Sequence, residues 1–561
     1  MYILGISSYY HDSAAALLKD GKIVAAAEEE RFTRIKHDNS FPSKAIDFCL
    51  KNAGISKIDL EYVAYYEKPL LKFERILETF VATWPFSLKP FIKAIQEWLG
   101  EKIKVEQKIR KKLDFKGKIY FVPHHLSHAA AAFYPSPFKK SAILTVDGVG
   151  EYQTIGIWKG MGNKIKPIKE INFPHSLGLL YSTFTAFLGF RVNDDEYKVM
   201  GMAAYGKPSF KNSIYELIDI KDDGSLQLDL SYFGYRESFQ MWNKKFEQLF
   251  GEPRNLKAPI TQRHKDIAAS IQTVTEEIYF KILKNLYLTS KINNLCIGGG
   301  VALNALANGK IYKNTPFKKV FILGPSGDSG GAVGSALEVY NRLSKKAKRR
   351  FITHLKFGSK YKDNEIEMIL KAKKLTYKKC SSKTLIKKTA KLLSEGRIIG
   401  WFQDRMEFGP RALGSRSILS APFPFSMKEE VNVVKRREQF RPFAGSILLE
   451  KAVNYFKIPK TQNEFPFMNF CFPVREIKIK DIPAITHEDR TCRIQTVSKN
   501  DGAYYSLIRE FERLTSIPVI LNTSFNLRGE PIVENPEQAI NDYTKTKIDS
   551  LVIGSFIVYK K

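Results

Sequence analysis

The feature that most constrains this chain is a pattern it uses twice. The N-terminus reads "MYILGIS", then "SAAALLKDGKIVAAAEEE", apolar runs of strand length with an Asp-Gly turn at "KDGK" that marks a tight hairpin. From Ser141 the same grammar returns in "SAILTVDGVGEYQTIGIWKGMGNKIKPIKEI": a strand, an Asp-Gly-x-Gly turn, a second strand, and another hairpin into a third. Two such units separated by mostly helical sequence predict a duplicated α/β domain. Two later stretches, "NNLCIGGGVALNALANGKI" (293–311) and "VFILGPSGDSGGAVGSAL" (320–337), each run from an apolar strand through glycines into a helix. Glycines there permit close backbone approach to a ligand, although one such turn alone is a tight connection more often than a site.

A duplicated domain of this kind is the fold shared by actin, sugar kinases and Hsp70 ATPases, in which the turns after the first strands face a nucleotide. On that pattern Gly148, Gly150, Gly299, Gly300 and Asn304 are expected at the phosphates, with backbone N–H groups as donors. After about Leu343 the chain changes character: "SKKAKRR" reads as a linker and a second unit begins near Phe351. The expected domains are therefore 1–345 and 351–561, the first with a helical insertion near 70–115. Within that insertion, "FVATWPFSLKPFIKAIQEWLG" (80–100) is interrupted by Lys89, Lys93, Glu97 and two prolines, too early for a membrane span. It reads as helices packed on the body, with a lid or a membrane-surface helix as alternatives.

Composition narrows the classes. Five widely spaced cysteines in 561 residues, with no C-x-x-C, signal neither a disulfide framework nor a zinc finger. The first residues lack a basic stretch followed by an apolar core, so a cytoplasmic protein without a transmembrane segment is expected. Lys and Arg total 89 against 58 Asp and Glu, a net charge of +31 that favours anionic partners. The lysines are scattered through the chain rather than gathered in one aromatic-laced tail, which suits a solvated surface or phosphate-bearing substrates, and no nucleic acid is expected.

Nine histidines are a thin supply, yet three fall within "HHLSH" at 124–128. If the Ala-rich run that follows is helical, His124 and His128 share a face and can clamp one metal ion; alone, H-x-x-x-H is usually coincidence. His11, at the first hairpin turn, is a candidate general base because imidazole titrates near neutrality, or else it caps the turn with Asp12. In the second unit Arg416, Lys435, Arg441 and Arg493 alternate with glycines and small polar residues. Such clusters suit phosphate and planar carboxylate-like groups.

The motifs "HHLSHAAAAFY", "DGVGE", "EYKVMGMAAYG", "GGGVALN", "GDSGGAVGSA", "RMEFGPRALGSRSI", "RPFA", "RIQTV" and "NTSFNLRGEPIV" resemble the carbamoyltransferase family of the nodulation protein NodU and the antibiotic O-carbamoyltransferases. The resemblance implies an actin-like, TsaD-like domain followed by a YrdC-like α/β domain. It implies that carbamoyl phosphate and ATP, with Mg²⁺, give carbamoyl adenylate in the second domain. The carbamoyl group then passes to the first, where a small-molecule or glycan hydroxyl attacks it. It makes His124, His128, Asp147 and Asp328 the ligands of a divalent metal, Fe²⁺ before Mn²⁺ or Zn²⁺, since two imidazoles and two carboxylates include no thiolate. It places His11, Lys36, Lys435 and Arg441 in catalysis, and Arg416, Lys435, Arg441, Arg493, Asn522 and Ser524 around carbamoyl phosphate and its adenylate. The charge run "EEERFTRIKHD" (28–38), which holds Lys36, would line the transfer site; as residues alone it reads as a solvated run. Gly445, where the family usually has proline, together with Arg490 and Cys492, departs from the pattern beside the carbamoyl phosphate site. A tRNA-modifying enzyme of threonylcarbamoyladenosine type and a non-catalytic nucleotide-binding relative are the alternatives, and a homodimer is left open.

Overall fold

The computed structural model describes residues 1–560, the side chains of Glu97, Leu99 and Glu101 excepted. Contacts divide the chain into two compact units: residues 1–29, 39–307 and 311–352, and residues 30–38, 308–310 and 353–561.

The first unit is built on two five-stranded sheets and a short hairpin. Its strands are β1 (Tyr2–Ser7), β2 (Ala14–Lys19), β3 (Lys22–Glu28), β4 (Tyr62–Tyr65), β5 (Lys118–Phe121), β6 (Lys140–Val146), β7 (Gln153–Met161), β8 (Lys164–Asn172), β9 (Ile218–Ile220), β10 (Leu226–Leu228), β11 (Asn294–Gly298) and β12 (Lys319–Ile322). The sheet orders are β3-β2-β1-β4-β5 and β12-β11-β6-β7-β8. Counted along each half, both are third, second, first, fourth, fifth. In each, the first three strands form an antiparallel meander, and the last two join parallel to the first. The duplication read from the hairpins is thus present strand for strand, and the fold is α/β of the actin type.

Parallel pairing requires long crossovers, which helices supply. The β3–β4 crossover carries Ser43–Ala53, and that between β4 and β5 carries the helices Pro69–Ala82, Leu88–Glu97 and Val105–Leu113. Helices follow each last strand at matching places, His124–Phe133 after β5 and Asp328–Leu343 after β12. They cross in intimate contact: a Cβ on Gly334 would lie 1.8 Å from the Ser127 carbonyl oxygen, so only glycine lets the backbones meet.

The second unit carries a nine-stranded sheet of β13 (Tyr377–Lys379), β14 (Ile399–Phe402), β15 (Arg416–Ser420), β16 (Ala444–Leu448), β17 (Phe470–Pro473), β18 (Thr491–Val497), β19 (Val519–Ser524), β20 (Ser550–Ile553) and β21 (Phe556–Tyr559). The order is β13-β21-β20-β14-β15-β19-β16-β18-β17. Helices Ser382–Ser394 and Ala503–Thr515 lay Leu385, Ala390, Leu393, Leu507, Ile508 and Phe511 against Ile399, Trp401 and Leu419 of the sheet. Trp401 satisfies its one donor inside this core, with Nε1 donating to the Gly414 carbonyl at 2.8 Å.

Residues 30–38 are continuous in sequence with the first sheet, yet they belong to the second unit. Arg31, fully buried, donates from Nη2 to the Gly409 carbonyl at 2.7 Å, and Arg34 reaches the carbonyls of Ile532 and Pro531 at 2.7 and 2.8 Å. The charge run is therefore a clasp rather than a solvated surface. Among the described residues no helix is long and apolar enough to cross a membrane.

Candidate metal and transfer site

Four of the predicted residues converge in the first unit. The helix His124–Phe133 projects His124 and His128 one turn apart, Asp147 follows β6, and Asp328 opens the helix after β12. His124 and His128 Nε2 are 3.0 Å apart. His128 Nε2 is 2.9 Å and His124 Nε2 3.5 Å from Asp147 Oδ2, and Asp328 Oδ1 lies 3.6 Å from the first and 3.7 Å from the second. One ligand atom from each residue falls within 4.8 Å of all the others.

The electrostatics explain why this arrangement suits a cation. All four side chains are buried, and two facing imidazole nitrogens can share only one proton. Burial alone would raise the Asp147 carboxyl, but bonds from His124 and His128 outweigh it and hold it well below the carboxylate range. Burial likewise opposes a charged His128, while Asp147 and Asp328 together lift it to about 9. Asp328 Oδ2 and the Nδ1 atoms of His124 and His128 have no hydrogen-bond partner among the described residues. Ligands about 2.1 Å from one ion and at right angles sit about 3.0 Å apart, which is the spacing of the two Nε2 atoms. The donor set fits a divalent ion of the iron, manganese or zinc kind.

Neighbouring elements fix the four. Glu151, buried, accepts the His124 backbone N–H at 3.0 Å and the Lys68 N–H at 2.7 Å, which places a carboxylate on the helix N-terminus. Gly299, at φ 90°, turns so tightly beneath the site that a Cβ would lie 2.2 Å from the Val146 carbonyl oxygen. His125 points elsewhere: Nδ1 pairs with Thr145 Oγ1 at 2.8 Å, and burial, reinforced by His124 and His128, depresses it to about 3, so it stays neutral. His11 bridges two carboxylates, with Nδ1 2.9 Å from Asp12 Oδ2 and Nε2 3.8 Å from Asp328 Oδ2. Burial opposes its protonation, but Asp328 and Asp12 prevail and raise it to about 9. With those carboxylates uncompensated, His11 is an imidazolium near neutral pH; a cation on Asp328 weakens the hold on that proton.

A second polar cluster lies in the second unit, where β16, β18 and β19 run side by side. The register sets Ala444 opposite both Arg493 and Asn522, and Ser446 opposite Gln495. Asn522 Nδ2 donates to Ser446 Oγ at 3.0 Å, and Ser446 donates to Gln495 Oε1 at 2.7 Å. Asn522 Oδ1, Arg493 Nε and Glu407 Oε2 have no hydrogen-bond partner among the described residues. Asn522 and Arg493 flank Ala444 from the two neighbouring strands, and an unmatched acceptor and donor there suit a planar group with both an amide and a carbonyl, since a buried polar atom left unmatched costs about 1–3 kcal/mol.

The sequence is matched over residues 2–337 by the family model "Carbamoyltransferase N-terminus" and over 390–560 by "Carbamoyltransferase C-terminus". The chain belongs to the carbamoyltransferase family. An uncharacterized protein of Synechocystis sp. is 46% identical over 599 residues, covering 100% of this chain and 97% of its own. Nodulation protein NolNO of Sinorhizobium fredii is 37% identical over 561 residues, covering 99% of this chain and 80% of its own. Among solved structures, HypF of T. kodakarensis is 12% identical with a TM-score of 0.33, covering 61% of this chain and 48% of its own. The ROK hexokinase of Thermus thermophilus is 13% identical with a TM-score of 0.31, covering 61% and 100%. The chain is therefore an enzyme of carbamoyl-group transfer.

Several expected ligand-binding residues of this carbamoyltransferase are occupied by structural work. Arg416, fully buried, stacks on Phe402 at 3.6 Å and donates to the carbonyls of Gln403, Asp404, Ser415 and Ser359, which leaves its fork little to offer a phosphate. Lys435 donates from Nζ to the carbonyls of Ser524 and Asn526 and to Asn526 Oδ1 at 2.9 Å, bracing the loop that carries Ser524. Burial, with Arg437 and Arg441 nearby, pushes that ammonium well below the lysine range. Arg441 lies 3.7 Å from Glu438, and Arg493 on β18 pairs opposite Cys471 on β17. Asn304 caps the helix Ala305–Asn314, accepting the Ala307 N–H at 3.1 Å, and exchanges bonds with Gln272. A Cβ on Gly150 would meet His124 Cδ2 at 3.0 Å and one on Gly300 would lie 3.2 Å from Asp147 Oδ1, so both border the cluster, as does Gly148, whose N–H donates to Asp147 Oδ1 at 2.7 Å. Lys36, half-buried, lies in the clasp segment of the second unit. Glu151 was missed, although its place in "DGVGE" and a helix N-terminus in need of an acid were signals for it.

Proposed function

We propose that this chain is an O-carbamoyltransferase that uses ATP and carbamoyl phosphate. In the second unit carbamoyl phosphate loses its phosphate to water, and the carbamate oxygen attacks the α-phosphorus of ATP and expels pyrophosphate. The carbamoyl adenylate is consumed in the first unit, where an acceptor hydroxyl attacks the carbonyl carbon, its proton leaves to a base, and AMP departs. The observation that carries this reading is the buried convergence of His124, His128, Asp147 and Asp328 beside His11. A divalent ion held by those four would supply electrophilic stabilisation of the adenylate phosphate when bound. His11 is the residue we assign to receive the acceptor proton, in the neutral form that a cation on Asp328 would favour, with Asp12 fixing its ring through Nδ1.

In the second unit, Asn522 and Arg493 supply the unmatched acceptor and donor that a carbamate needs, and Arg441 supplies charge for phosphate. Lys435 acts through the Ser524–Asn526 loop that it braces. The acceptor is a hydroxyl-bearing small molecule or glycan.

The test separates the two steps. Purified enzyme with carbamoyl phosphate and ATP should release pyrophosphate and yield a species with the mass of carbamoyl adenylate. Arg441→Ala should lose that product, and His128→Ala should keep it while losing transfer. Absence of adenylate from the wild type under metal-replete conditions overturns the reading.

A further inference from the structure

The insertion between β4 and β5 begins with a helical hairpin whose polarity is inverted. Its two arms, Pro69–Ala82 and Leu88–Glu97, are locked by Phe80 and Phe91, whose rings stack with centroids 3.8 Å apart, while Trp84 packs edge-on to Phe80 at 5.4 Å. In the connecting turn the hydroxyls face inward: Thr83 and Ser87 are buried and their Oγ atoms lie 2.7 Å apart. The large apolar groups face outward. Val81 is 75% exposed, Trp84 59%, Phe86 75%, Leu88 40% and Ile92 49%. A turn that buries its hydroxyls and exposes tryptophan, phenylalanine and valine reverses the ordinary ordering, and contiguous exposed apolar surface of this kind marks an interaction site.

The surrounding charge identifies the occupant. Lys89 and Lys93 are exposed on the same arm as Leu88 and Ile92, Lys93 lying over the Phe239 ring at 5.1 Å; Lys104, Lys111 and Lys112 are exposed on the sequence that follows, and Glu74 and Glu78 on the other arm are outnumbered by them. With +31 on the whole chain, a second copy would be repelled, and an anionic surface attracted. A nucleic acid would answer the lysines and leave Val81 and Leu88 in water. Tryptophan and phenylalanine at a tip flanked by lysines is the composition of an element that lies in the headgroup region of a bilayer. Consistent with lying on rather than crossing, no described helix is long and apolar enough to span.

We propose that the 69–97 hairpin docks this protein on an anionic lipid surface, with Val81, Trp84, Phe86 and Leu88 entering the headgroup layer and Lys89 and Lys93 meeting lipid phosphates. This inference is independent of the proposed carbamoyl chemistry. The test is sedimentation of the full-length protein with vesicles of phosphatidylcholine alone and with vesicles in which one lipid in three is phosphatidylglycerol. The wild type should pellet with the anionic vesicles only, and Trp84→Ser combined with Phe86→Ser should cut the bound fraction by about tenfold or more. Both side chains are mostly exposed and only the edge contact of Trp84 with Phe80 is lost, so the thermal midpoint should shift little; Val81→Asp, which removes no ring contact, is a second variant with the same expected loss of binding. The proposal is overturned if the wild type pellets with neither vesicle, or if both variants bind as well as wild type, which would make the attraction one of charge alone. A concentration-dependent dimer that these variants abolish, without vesicle binding, would assign the hairpin to a second copy instead.

Discussion

His124 and His128, both buried, bring their Nε2 atoms to 3.0 Å, with Asp147 Oδ2 2.9 Å from the second of them. Imidazoles one helical turn apart are neighbours by geometry, but nothing in a helix compels their nitrogens to face each other. Here Asp147 and Asp328 arrive from two different strand ends and face both rings, and one divalent cation would satisfy all four groups together.

Purified wild type should therefore carry one divalent ion per chain, and His128→Ala should carry less than about a tenth of that, because a three-ligand remnant loses affinity steeply. Elemental analysis by mass spectrometry after gel filtration reads this directly. Equal metal in wild type and variant would show that the four residues are only a buried ion-pair cluster.

Glu151 should act on the same quantity without touching the ion. Its carboxylate holds the His124 N–H, and loss of an outer partner that orients a ligand typically costs 10–100-fold in metal affinity. Glu151→Gln should show a weakening of that order in a chelator competition, with the fold intact by circular dichroism. An affinity equal to wild type would confine Glu151 to capping.

The duplicated sheets were legible because the Asp-Gly hairpins and Gly-rich strand ends are local signals, each readable within about twenty residues. That His124, His128, Asp147 and Asp328 gather was legible only through the family resemblance, since Asp147 and Asp328 are 181 positions apart by their numbers and no spacing rule joins them. The clasp was not legible. Arg31 and Arg34 look like members of a solvated charge run, and only tertiary structure shows that carbonyls at Gly409, Pro531 and Ile532 receive them. Arg416 shows the same limit: a guanidinium suited to phosphate is equally suited to a ring of backbone carbonyls, and the sequence does not say which it meets.

Arg31→Ala should destabilise the second unit, because it removes the charged donor that Arg31 offers the Gly409 carbonyl and opens the volume of a fully buried side chain. A cost of about 2–3 kcal/mol is expected, read as a lower denaturant midpoint and as earlier proteolysis within residues 30–38. Lysine at the same position should restore little, since it lacks the planar fork. A variant as stable and as protease-resistant as wild type would show that Arg34 alone holds the clasp.

Asp542 should set a pH dependence that its neighbours do not cancel. It is buried in the helix Pro536–Thr544; burial, then the Glu530 charge, push its carboxyl up to about 7, against the opposing pull of Arg34 and Lys435. The folded chain thus holds this proton between about pH 4 and pH 7 while the unfolded chain has released it, so stability falls as pH rises through that window. The full shift would correspond to roughly 4 kcal/mol, and relaxation around a partly solvated group reduces this to on the order of 1 kcal/mol. Asp542→Asn removes the cost of ionisation, so it should raise the thermal midpoint by about 2–4 °C at pH 8 and leave it nearly unchanged at pH 5. Calorimetry at the two pH values decides it. A variant less stable than wild type at pH 8 would mean that the ionised carboxylate is paired with Arg34 or Lys435 and stabilises the fold.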